Sequence, residues 1–188
     1  MKPFPTKNGQ RMKWPHDDFF HAWWAEPQLL AGEYPGAPTR AKAITKLRML
    51  ADAGVDTIID LTEDADGLEP YSHLLDDIAD ATGHSMHRLR YPIPDNHVID
   101  HAGYDDILNR INTEIEAGKT VYLHCWGGRG RTSTVVGCRL IEQGLDYDAT
   151  IARLKVLRSG TRKSEVKVPE SPSQHDVLRR RAEANRAT

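Results

Sequence analysis

Residues 124–132 read His-Cys-Trp-Gly-Gly-Arg-Gly-Arg-Thr, placing one nucleophile and two guanidinium groups in a run with three glycines. Glycine lets a turn direct successive backbone N–H groups to one side, which makes a concave site for an anion. The residues before the run, 119–123, are short, apolar and partly β-branched, and predict a buried strand. Those after it, 133–141, predict a helix that stops at Gly144. A helix start adds unpaired N–H donors and the positive end of its dipole. Cys125 stands at the mouth of this cradle, where a field that attracts phosphate also favours the thiolate as nucleophile. Arg131, six positions on, can fold back and grip two oxygens of an oxyanion with its planar fork. The amides contributed by Trp126, Gly127, Gly128, Arg129 and Gly130 complete the expected phosphate-binding set.

Hydrolysis of a phosphomonoester is the chemistry this set suits. A thiolate attacks phosphorus in line and gives a phosphocysteine, splitting hydrolysis into two displacements. The charge on the three equatorial oxygens is met by loop amides and Arg131, with no metal or cofactor required. Thr132 can donate its hydroxyl to the cysteine sulfur, or it can satisfy backbone at the helix start. His124 is expected to support the loop from beneath.

The pattern His-Cys-x5-Arg-Thr resembles the signature of the cysteine-dependent protein tyrosine and dual-specificity phosphatase superfamily. Its double glycine is similar to the kinase-associated, atypical dual-specificity branch. The resemblance implies a central, mostly parallel α/β sheet flanked by helices, and a general acid on a mobile loop upstream of the cysteine. Asp95, in Ile93-Pro94-Asp95, matches that placement, and as acid and then base it would contribute roughly 100- to 10,000-fold. Asp100 is the rival acid and reads better as a helix cap. The resemblance also makes Gln174 a water-positioning residue, and makes the acidic loop 62–67 a wall of the site. Arg129 falls where lipid- and inositol-phosphatase branches carry a basic residue. It could meet a second phosphate, set the field around Cys125, or pair with a carboxylate. Trp126 could stack on an aromatic substrate group or cover the rim. The resemblance therefore implies a dual-specificity-like protein phosphatase acting on a phosphorylated protein or small phosphomonoester. Phosphoinositides, inositol phosphates, nucleotides, or capture of a phosphorylated partner without turnover are the alternatives.

The remaining chain must position these groups. Strands at 28–32, 55–61, 84–91 and 119–123 alternate with helices at 39–53, 70–82, 104–116, 133–141, 147–159 and 172–182. That alternation predicts an α/β fold with helices on both faces of the sheet. Prolines 92 and 94 end the third strand and stiffen the loop that carries Asp95. Residues 1–26 hold three of the four tryptophans, Trp14, Trp23 and Trp24, and form an aromatic extension that either lines the site or wraps the core. The tail after Arg179 is expected to be solvated.

The 188 residues suit one domain, and 39% hydrophobic with 28% charged residues suits a soluble one. A net charge of −2 gives no general attraction to nucleic acid or anionic membrane. Two cysteines are too few for a disulfide scaffold and fit a reducing, cytoplasmic setting. Cys138 reads as core rather than as a resolving thiol. His97 and His101 have helical spacing, but no further ligand pattern supports a metal. No apolar run of signal or membrane-span length is present, the opening residues 1–5 included.

Overall fold

A computed structural model describes residues 6–8 and 10–186; residues 1–5 lie outside the described residues. A short hairpin of β1 (Thr6–Lys7) and β2 (Gln10–Arg11) precedes the main sheet. That sheet contains β3 (Ala22–Glu26), β4 (Leu29–Gly32), β5 (Val55–Asp60), β6 (His87–Arg90) and β7 (Thr120–His124). Its spatial order is β3-β4-β7-β5-β6. β4, β7, β5 and β6 run parallel, and β3 is an antiparallel edge strand. The expected α/β architecture is present, with β7 at the centre, where its carboxyl end can present the loop that carries Cys125.

Six helices cover the sheet: α1 (Arg40–Asp52), α2 (Leu75–Thr82), α3 (His101–Glu116), α4 (Gly130–Glu142), α5 (Tyr147–Arg158) and α6 (Pro172–Arg186). Alternate strand residues divide between two cores, as a pleat requires. Trp23, Leu29, Ala31, Ile59, Val121 and Leu123 pack with α3, α4, α5 and α6. Trp24, Leu30, Ile58 and Tyr122 pack with α1 and α2 on the other face. Asp100 caps α3 by accepting the Gly103 N–H at 2.8 Å, the role its position suggests.

Three expectations need correction. The aromatic extension is not merely a wrap, because residues 22–26 are a strand of the main sheet, anchored to α4 by the Arg139 pair with Glu26 at 2.7 Å. The expected helix at 70–82 begins as one 3-10 turn at Ser72–Leu74, and only Leu75–Thr82 is α-helical. The tail after Arg179 does not fray into solvent within the described residues. Helix α6 continues to Arg186, buries Ala182, and ties Arg181 to Asp105 at 2.6 Å. Asn185 adds a hydrogen bond to the Ile141 carbonyl at 2.7 Å.

Candidate active site

β7 delivers Cys125, which is only 3% exposed, and α4 starts five residues later at Gly130. Between them, three consecutive carbonyls are held from outside the loop. His124 Nδ1 bonds the Cys125 carbonyl at 3.1 Å, the Tyr34 N–H donates to the Trp126 carbonyl at 2.8 Å, and Lys163 Nζ donates to the Gly127 carbonyl at 2.9 Å. A trans peptide carries its C=O and N–H on opposite sides. Fixing these carbonyls outward therefore turns the N–H groups of Trp126, Gly127 and Gly128 inward. Gly128 has φ +68° and lies so close to Gly32 that a Cβ would sit 2.5 Å from the Gly32 carbonyl carbon. Only glycine fits there.

Arg131 is 1% exposed, and its two edges differ in what they meet. Nη1 donates to Asp66 Oδ2 at 2.7 Å and to the Ile93 carbonyl at 2.9 Å. Nη2 reaches Asp66 Oδ1 at 3.3 Å and Asp95 Oδ1 at 2.9 Å. Nε has no partner among the described residues. One edge of the guanidinium is thus fixed to the 63–67 loop, while the Nε–Nη2 edge remains the one that can meet an oxyanion. Burial works against the charge, but Asp66 raises the Arg131 pKa further, so the group stays cationic. Asp66 also accepts the Glu63 N–H at 3.0 Å, closing a capping turn that fixes its own carboxylate.

Beneath the loop, burial pushes the His124 pKa below its ordinary value, so the ring is neutral. Its Nδ1 carries the proton donated to the Cys125 carbonyl, and Nε2 then accepts from the Tyr71 hydroxyl at 2.8 Å. This tautomer follows from the carbonyl, which can only accept. Asp60, fully buried, accepts from Thr62 N and Oγ1 and from Arg88 Nε at 2.7 Å. Burial alone would raise the Asp60 carboxyl, yet the Thr62 hydrogen bonds and the Arg88 charge hold it below its usual range.

The structure brings most of the residues singled out in sequence to one place. Asp95 is about half-exposed, rests on Arg131, and accepts from Asn96 Nδ2 at 3.1 Å. Thr132 is buried, and its Oγ1 has no partner among the described residues. Gln174 is not a surface glutamine. It is fully buried, and its Oε1 accepts from the Glu170 N–H at 3.0 Å and the Ser171 N–H at 3.2 Å. Its Nε2 has no partner among the described residues and would lie 3.0 Å from a Cβ at Gly130. Arg129 pairs with Glu170, whose Oε2 also accepts the Gly130 N–H at 3.0 Å. Of the roles open to Arg129, carboxylate pairing is the one observed. Trp126 is 54% exposed and, with Phe19, lines a cavity of about 740 Å³ beside the loop. Cys138 is fully buried, and burial pushes its thiol up to about 12, consistent with a core residue. Asp66 belongs to the acidic loop expected as a wall of the site, but its hold on Arg131 was not foreseen, and Tyr71, Lys163 and Glu170 were not singled out. Glu63 and Asp66, three apart and ahead of Gly67, carried a capping signal for that aspartate.

Residues 35–145 match the family model described as Tc-R-P, polymorphic toxin system, DSP-PTPase phosphatase. The chain belongs to this family. Among curated proteins, this DSP-PTPase phosphatase is similar to phosphatidylglycerophosphate phosphatase PTPMT2 of Arabidopsis thaliana, 34% identical over 124 residues. That alignment takes in 64% of the chain and about half of the relative, 48%. Among solved structures, the active form of Tk-PTP matches with 26% identity and a TM-score of 0.66, covering 91% of this chain and 99% of that one. Kinase associated phosphatase, with its catalytic cysteine replaced by serine, matches with 18% identity and a TM-score of 0.67, covering 90% and 97%. PTPMT1 in complex with PI(5)P matches with 20% identity and a TM-score of 0.63, covering 88% and 97%. The last two carry the fold alone. Among the described residues of this DSP-PTPase phosphatase, no helix is long and apolar enough to cross a membrane.

Proposed function

We propose that this protein is a phosphomonoester hydrolase in which Cys125 is the nucleophile. The observation that carries the reading is the set of three consecutive outward-held carbonyls, which ring a buried cysteine with inward amides and the Nε–Nη2 edge of Arg131. The Cys125 sulfur forms a bond to phosphorus as the bond to the leaving oxygen breaks. Asp95 gives that oxygen its proton, and must leave Arg131 to do so. Phosphate oxygens take its place on Nη2, with Nε as the second donor. In the second step Asp95 accepts a proton from water as the water oxygen attacks phosphorus, and the S–P bond breaks to release inorganic phosphate. Gln174 Nε2 is suited to hold that water, and the Thr132 Oγ1, unpartnered among the described residues, to donate to the departing sulfur.

The leaving group is read as a side chain of a phosphorylated protein, and Trp126 and Phe19 give the adjoining cavity aromatic walls for it. A phosphorylated lipid headgroup is the second reading, motivated by the likeness to PTPMT2. A cytoplasmic setting belongs to the same proposal and is supported by two free, buried thiols. The test is hydrolysis of an aryl phosphate with chelator present, inhibition by vanadate, and loss of turnover in Cys125→Ser. Turnover persisting in that variant would refute the reading. Phosphopeptides compared with phosphatidylglycerophosphate vesicles then separate the two substrate classes.

A further inference from the structure

The Gly127–Gly128 peptide is oriented by a side chain that lies far from it in sequence. Lys163 comes from the loop between α5 and α6, and its Nζ donates to the Gly127 carbonyl at 2.9 Å and to Glu33 Oε2 at 2.8 Å. Its backbone is pinned as well. Arg158, 1% exposed at the end of α5, donates Nη2 to the Lys163 carbonyl at 2.6 Å and Nη1 to the Val166 carbonyl at 2.8 Å. Glu33 follows β4 and also holds Arg162 at 2.8 Å and Lys46 at 3.5 Å. Burial alone would raise the Glu33 carboxyl, but the Lys163, Lys46 and Arg162 charges bring it below its ordinary value. The ammonium is therefore fixed at both ends before any ligand arrives.

We propose that Lys163 is a positioning residue for phosphoryl transfer, acting through the Gly127–Gly128 peptide. The inference rests on the Cys125 phosphomonoesterase reading. A cationic donor on the carbonyl does two things. It keeps the carbonyl oxygen outside, where it cannot repel an oxyanion, and it polarises the peptide so that the Gly128 N–H binds anionic oxygen more strongly. Without Lys163 the Gly127 carbonyl keeps no donor among the described residues, and a peptide flanked by glycines on both sides is free to rotate.

The experiment compares the full-length protein with Lys163→Met, Lys163→Arg, Lys163→Gln and Arg162→Gln. Tungstate affinity is read by calorimetry and aryl phosphate turnover by kcat and KM. Lys163→Met is expected to weaken tungstate binding about tenfold or more and to lower kcat, since removing a direct oxyanion donor costs roughly 100- to 1,000-fold. Lys163→Arg restores most of both, and Lys163→Gln, which keeps a donor but no charge, falls between. Arg162→Gln shares Glu33 but not the loop carbonyl, and leaves tungstate affinity unchanged. The proposal is overturned if Lys163→Met, or Lys163→Gln where the methionine variant does not fold, binds tungstate like the unmodified protein. It is equally overturned if Arg162→Gln weakens binding as much as the Lys163 variants do. If the unmodified protein binds no tungstate, the underlying phosphomonoesterase reading fails first.

Discussion

Asp66→Asn offers a test of how the arginine is aimed. Asp66 and Arg131 are almost wholly buried, and the aspartate meets both Nη atoms of the guanidinium. Breaking a buried pair by neutralising one partner costs about 3–5 kcal/mol, because the other charge is left uncompensated. Here Asp95 and the Ile93 carbonyl remain on Arg131, so the lower end, about 3 kcal/mol, is expected. With a urea slope of about 2 kcal/mol per molar, the unfolding midpoint would fall by about 1.5 M. Catalysis should suffer separately. A guanidinium no longer fixed on one edge is misaligned on the other, and kcat/KM for an aryl phosphate should drop by about 100-fold or more. The two readouts are urea unfolding followed by fluorescence, and initial rates at saturating and limiting substrate. An Asp66→Asn protein with an unshifted midpoint and kcat/KM within about twofold of the original would refute the idea that this carboxylate aims Arg131. Asp66→Asn combined with Asp95→Asn should be non-additive in stability, since both act on one guanidinium.

Asp95→Asn should slow hydrolysis of substrates with poor leaving groups by about 100- to 10,000-fold while sparing those with good ones, as a leaving-group series in kcat would report. Gly130→Ala would put a Cβ 2.9 Å from Glu170 Oε2 and 3.0 Å from the Gln174 amide, so the ends of these two side chains must shift off the loop and tungstate affinity, read by calorimetry, should fall. Tyr71→Phe removes the donor to His124 Nε2 and should cost about 1–3 kcal/mol of stability, measured by urea unfolding. Acid should destabilise the protein from pH 6.5 downward. Burial lowers the His21 pKa to about 4, so between 6.5 and 4 the unfolded chain binds the extra proton and stability falls as pH falls. His21→Asn should flatten the thermal-midpoint profile across that window.

Much of the 124–132 loop was legible because its parts are adjacent in sequence and each has one physical job. A strand, three glycines, a cysteine and an arginine six residues on can be assembled on paper. β3 was hidden for a different reason. Trp23 and Trp24 face opposite cores, so the segment shows no alternation and reads equally well as a buried wrap. The last turn of α6 was obscured by its polar composition, since its docking depends on Ala182, Arg181 and Asn185 finding α3 and α4. The Arg131–Asp66 and Lys163–Gly127 pairs are separated by 65 and 36 positions. Neither follows from local pattern, because which loop faces which is set only when the sheet order is known.

The outward restraint on the loop also bears on when the protein becomes competent. Lys163, Glu170 and Gln174 all lie beyond residue 145, where the family match ends, yet each touches residues 127–130. A chain emerging from the ribosome completes β7 and Cys125 well before it supplies these supports. On the proposed reading of Cys125, the sulfur should become productive only once the chain beyond residue 145 has docked, so that a fragment ending near residue 145 would carry the signature without the chemistry.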